Sequence, residues 1–119
     1  MWLFSHYSIL KIVTNNIEDK SIHVELKKIG TTLTSRQAGV EAFKAFQSTS
    51  QGIKQGEDLE IDFSGVLTFS PAWGDEFLSP LLDQLGDNLV LLPSDNMSVQ
   101  ATLKLLQEIK KRSFVIRGQ

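Results

Sequence analysis

The chain has no cysteine, so disulfides, thiol catalysis and thiolate metal sites are excluded. That agrees with a reducing, cytoplasmic location. Neither sign of charge dominates: 12 Lys and Arg against 14 Asp and Glu leave a formal net charge of −2. There is no overall attraction to nucleic acid or to an anionic membrane, and aromatic residues are not interleaved with basic ones. The two histidines, His6 and His23, have no second histidine or acid at ligand spacing, so no metal centre is expected. No P-loop, GxGxxG or Ser-His-Asp arrangement is present, which argues against a bound cofactor and against catalysis. No run is long and apolar enough to read as a membrane span. Residues 1–13 are apolar but interrupted by Ser5, His6, Ser8 and Lys11, and they lack the basic start and small-residue cleavage site of a secretory signal.

What remains is an ordinary globular composition. The 119 residues are 41% hydrophobic and 22% charged, enough for one domain around one core. Residues 1–7 read either as the start of an N-terminal strand or as a flexible extension. Residues 9–14 are a β-branched run that predicts a strand, and Asn15-Asn16 and Glu18-Asp19 form turns. Residues 21–29 alternate, with Ile22, Val24 and Leu26 inward and His23, Glu25 and Lys27 outward. That period of two predicts a half-buried strand, paired with the first as a hairpin.

Gly30 ends that strand. Thr34 or Ser35 then caps a helix over 35–49 whose apolar positions are Ala38, Ala42, Phe43, Ala45 and Phe46. A polar loop leads to a strand at 59–63. Ser70-Pro71 opens a helix with Trp73, Phe77, Leu78, Leu81, Leu82 and Leu85 on one face. Pro80 inside it either kinks or ends the helix; the apolar face continues past it, which favours a kink. Gly86-Asp87-Asn88 is a C-cap and turn. The unbroken run Leu89-Val90-Leu91-Leu92 fits a strand covered on both faces. A last helix over 97–111 places Val99, Leu103, Leu106 and Ile109 inward. Lys110, Lys111 and Arg112 suit its negative end, and Phe114-Val115-Ile116 suggests a final strand. The order ββαβαβα(β) predicts an α/β sandwich: a mixed sheet, parallel in its later part, with helices packed on it.

Two segments carry most of the functional interest. One is Ile61-Asp62-Phe63-Ser64-Gly65-Val66, followed by Ser70-Pro71-Ala72-Trp73-Gly74-Asp75-Glu76-Phe77; the other is Thr34-Ser35-Arg36. Their order and spacing resemble the STAS fold of anti-sigma factor antagonists. More closely they resemble a STAS-like family of bacterial proteins without assigned function, over about residues 27–108. The resemblance implies a bacterial regulatory adaptor that docks on a histidine-kinase-like ATPase or an anti-sigma-like protein. Docking would use the turn 70–73 and the following helix, with Ser70, Pro71, Trp73, Asp75 and Glu76 as contacts. In the antagonists a serine at this helix start is phosphorylated. Here Pro71 falls on that serine, so the switch does not carry over at its own position.

Each of these residues also has a plainer reading. Ser70 is either a displaced phospho-acceptor or a helix N-cap. Trp73 is either an exposed anchor or part of the core. Asp75 and Glu76 are a partner handle or simply acids favoured in a first turn. Thr31, Thr32, Thr34, Ser35 and Arg36 form a hydroxyl-rich loop at a helix start. They suggest an anion cradle, and hence an alternative function as a nucleotide or phosphate sensor; the rival is a capped helix with a solvated Arg36. Asp62 has Arg36 as its natural partner. The oligomeric state is not legible.

Overall fold

The computed structural model describes residues 13–16, 21–53 and 56–118. Among them the order is β1 (Val13–Asn16), β2 (Ser21–Glu25), β3 (Thr32–Leu33), α1 (Arg36–Gln51), β4 (Asp58–Asp62), β5 (Thr68–Phe69), α2 (Pro71–Leu85), β6 (Leu89–Leu91), α3 (Met97–Lys110) and β7 (Val115–Ile116). The fold is α/β, with a mixed and mostly parallel sheet. The expected strands and helices are present, and two short strands, β3 and β5, are added to them.

The main sheet has the order β1-β2-β4-β6-β7. β1 pairs antiparallel with β2, and the other neighbours pair in parallel. Each parallel strand is laid beside the previous one in the same direction. Right-handed crossovers then put all three helices on one face. The sequence pattern agrees: in β4, Leu59 and Ile61 are buried in the core while Asp58, Glu60 and Asp62 are half-buried on the opposite face. Every residue of β6 is buried, as its unbroken apolar run requires.

Residues 9–12 of the expected first strand, the 1–7 extension and the Glu18-Asp19 turn lie outside the described residues. Asn15 and Asn16, expected in a turn, instead continue β1 opposite Ile22 and Ser21. β2 stops at Glu25, four residues earlier than expected. Leu26–Lys28 coil into a 3-10 turn that Lys27 and Lys28 close by reaching back to Glu25.

The helices begin where their caps predict. Ser35 Oγ accepts the Ala38 amide, Ser70 Oγ the Trp73 amide and Asn96 Oδ1 the Val99 amide, each satisfying an amide with no partner inside its helix. Pro71 occupies the first turn, where no donor is needed. α2 continues through Pro80 to Leu85. Trp73, Phe77, Leu78, Leu81 and Leu82 are buried along it, and Phe46, Phe69, Trp73 and Phe77 meet as an aromatic cluster. α1 lies close against α2: a Cβ at Gly39 would stand 2.7 Å from the Trp73 carbonyl oxygen.

Two inward assignments are corrected. Ala38 is exposed in the first turn of α1. Ile109 is 62% exposed: it lies in the last turn of α3, past Leu106, the last buried residue, and one residue before the helix ends at Lys110.

Candidate functional site at the start of the helices

All three helices begin just beyond the C-terminal ends of strands, so their first turns gather at one end of the sheet. The short β3–β5 ladder ties two of these starts together. Thr32 pairs with Thr68 and Leu33 with Phe69. The Leu67 and Thr68 amides donate to the Thr31 carbonyl, and the Ser70 amide donates to that of Leu33. α3 closes the other edge: the Phe69 amide donates to Ser98 Oγ, and the Ser98 and Thr102 hydroxyls donate to the Phe69 carbonyl.

The residues expected at a site do come together here, but most are already engaged. The Ser70 hydroxyl donates to the Thr34 carbonyl at 2.8 Å while accepting from Trp73. It is therefore a cap and a clasp between α2 and the Thr34 loop. Ser35 is a cap. Thr32 and Thr34 are exposed beside it. Arg36 does not pair with Asp62. Its guanidinium lies 2.6 Å from Glu76 and 3.5 Å from Asp75, and the Glu76 hydrogen bond, reinforced by Asp75, raises its pKa further. Asp75 also accepts from the Ser79 hydroxyl and sits 3.8 Å from Lys110. Asp75 and Glu76 thus join α1, α2 and α3 electrostatically. Arg36 is a neutralised cation, which weakens the loop as an anion cradle. Trp73 is corrected from contact to core: it is 1% exposed and cannot anchor a partner. Pro71 stays exposed at the turn.

Asp62 is instead bound locally and across the sheet. Its Oδ1 accepts the Ser64 amide at 2.9 Å, and its Oδ2 lies 3.3 Å from His23 Nε2. Burial opposes its ionisation, yet the Ser64 amide and hydroxyl together with His23 hold its carboxyl below the ordinary range. His23 is not isolated: its Nδ1 is 3.4 Å from Glu60. The parallel register that sets His23 opposite Glu60 and Glu25 opposite Asp62 creates this group. With both ring nitrogens facing carboxylates, His23 is a strut between β2 and β4. Among the described residues no group of three or more acids and histidines is arranged to hold a metal ion.

Sequence reasoning missed the feature next to this clasp. A cleft of about 730 Å³, open to solvent, lies between residues 63–67 and 93–96, with Gln100 on one wall. Gly65 turns its floor at φ 84°, where only a residue without Cβ is comfortable, and Lys27 lies directly over it. Asn96 fixes the two walls, its amide donating to the Val66 and Leu67 carbonyls. Leu67 lines the cleft, and Met97 is the next residue in the chain after Asn96, which lines the opposite side. They are 67% and 82% exposed. Periodicity could not reveal Leu67, because an apolar residue in a two-residue strand's approach reads as core; Met97 reads as an ordinary first-turn residue. Their exposure depends on how the two loops meet.

Comparison with protein families, with curated proteins and with solved structures finds no match to this chain.

Proposed function

We propose that the protein is a non-catalytic, cytoplasmic regulatory adaptor of bacterial STAS-like type. It docks a protein partner, such as a histidine-kinase-like ATPase, at the end of the sheet where the helices begin. The carrying observation is the exposure of two large apolar residues at this end of the sheet, Leu67 in the lining of the cleft and Met97 next in the chain after the lining residue Asn96. Large exposed apolar side chains are what a partner's pocket can use, because burying them takes apolar surface out of water. Ser70 and Pro71 border the same end. α2 contributes through its first turn and not through its apolar face, which is already buried.

Affinity capture from the native cell, with and without ATP, tests this reading. The wild-type chain is expected to retain a partner that a Leu67→Glu/Met97→Glu variant loses. Retention of the same proteins by the double variant would overturn the proposal. The alternative reading, a nucleotide or phosphate sensor built on Thr32, Thr34, Ser35 and Arg36, has the Arg36 ion pairs against it. A thermal-shift response to phosphates that Arg36→Ala abolishes would restore it.

A further inference from the structure

α3 carries a second apolar surface that neither the core nor the cleft uses. Ala101, Leu105 and Ile109 follow Met97 at intervals of four residues, so they lie along one ridge of the helix. Ala101 and Leu105 are turned away from Val99, Leu103 and Leu106, which face the core, and Ile109 continues the ridge in the last turn. Leu105 is 39% exposed, and Ala101 is exposed. On a helix whose buried face is otherwise complete, this is more than one stray apolar residue.

Two features say what fits the ridge. The first is shape. Ridges of this spacing pack against their own kind, with axes crossing at about −50°, and the small Ala101 lets the helices approach. The second is charge. Lys104 and Glu108 are exposed beside the ridge, and among the described residues neither has an ion-pair partner. Around a two-fold axis at Leu105, antiparallel copies bring Leu105 against the partner's Leu105 and Ala101 against the partner's Ile109. The same register brings Lys104 within reach of the partner's Glu108, and the pair occurs twice. A surface whose opposite charges meet under its own two-fold is self-complementary.

We propose that the occupant of this ridge is a second copy of the chain, forming an antiparallel α3–α3 homodimer. A single helix ridge is a small contact, so the dimer is weak and reversible, with a dissociation constant on the order of 0.1–1 mM. In this register Met97 lies beyond the end of the facing helix. The dimer therefore leaves the cleft free and does not depend on the docking proposal.

Sedimentation equilibrium of the full chain, from roughly 10 µM to 1 mM, tests it. The average mass is expected to rise above the 13.3 kDa of the monomer, and Leu105→Glu is expected to hold it there. Lys104→Glu and Glu108→Lys should each weaken association about threefold to tenfold, and the double exchange should restore it. These two positions are exposed, so the exchanges remain decisive if Leu105→Glu fails to fold. A monomer at every concentration would overturn the proposal. So would association indifferent to Leu105→Glu, or single exchanges that the double exchange does not rescue.

Discussion

Ser70 shows how a residue that suggests a switch can be held as a fastener. Its hydroxyl accepts from the Trp73 amide and donates its one proton to the Thr34 carbonyl, so it ties the start of α2 to the Thr34 loop. Ser70→Ala removes the cap and leaves both groups to water or unpaired. A loss of about 1 kcal/mol is expected in urea unfolding; an unchanged midpoint and slope would contradict the clasp. Asp62 gives a pH dependence of definite sign. Its folded-state pKa is depressed, so the stability it contributes is complete above the ordinary carboxylate range. That contribution is lost as pH falls through the lower, folded-state value. Asp62→Asn should lower stability at neutral pH and flatten the acid limb of a stability–pH curve. A parallel downward shift of the whole curve would mean that its charge is immaterial.

At the scale of elements, the contact between α1 and α2 decides the placement of the site. Gly39 in the interior of α1 is a poor helix former, and helix propensity alone predicts that Gly39→Ala gains about 1 kcal/mol. Close approach predicts the reverse, because the new Cβ would stand 2.7 Å from the Trp73 carbonyl oxygen and 3.1 Å from the Trp73 Cα. Backbone cannot give way as a side chain can, so a loss of roughly 1–3 kcal/mol is expected. The sign of the change in thermal unfolding separates the two effects. The Arg36 bridge to Glu76 and Asp75 spans the same joint, but it is solvent-exposed and its contribution is correspondingly small. Apolar contact, not the ion pair, holds the two helix starts together.

For the whole molecule, stability and docking have to be tested at different residues. Trp73 sits in an aromatic cluster with Phe69 and Phe77. Trp73→Ala should cost about 3–5 kcal/mol, against roughly 5–15 kcal/mol for a typical domain. The variant should melt far below the wild type by circular dichroism. A wild-type melting temperature would place the indole outside the core. Loss of a partner in that variant would say nothing about docking, whereas its loss in Leu67→Glu, with melting unchanged, would. Among the described residues no helix is long and apolar enough to cross a membrane.

The elements were legible in the sequence because their signals are local. Two-residue alternation marks β4, an unbroken apolar run marks β6, and Ser35 and Ser70 mark helix starts from within three residues. The absence of cysteine closed off thiol chemistry with no structure at all. Partnership was not legible, because it depends on register between segments far apart in the chain. His23 meets Glu60 across 37 residues, and Arg36 meets Glu76 across 40. No short-range pattern specifies which strands lie side by side. The β3–β5 ladder escaped notice for the same reason: two residues carry no period, and only the crossing of two loops makes them strands. Apolar residues at helical spacing read alike whether they face a core or solvent. Only the tertiary arrangement put Trp73 inside and left Leu67, Met97, Leu105 and Ile109 outside.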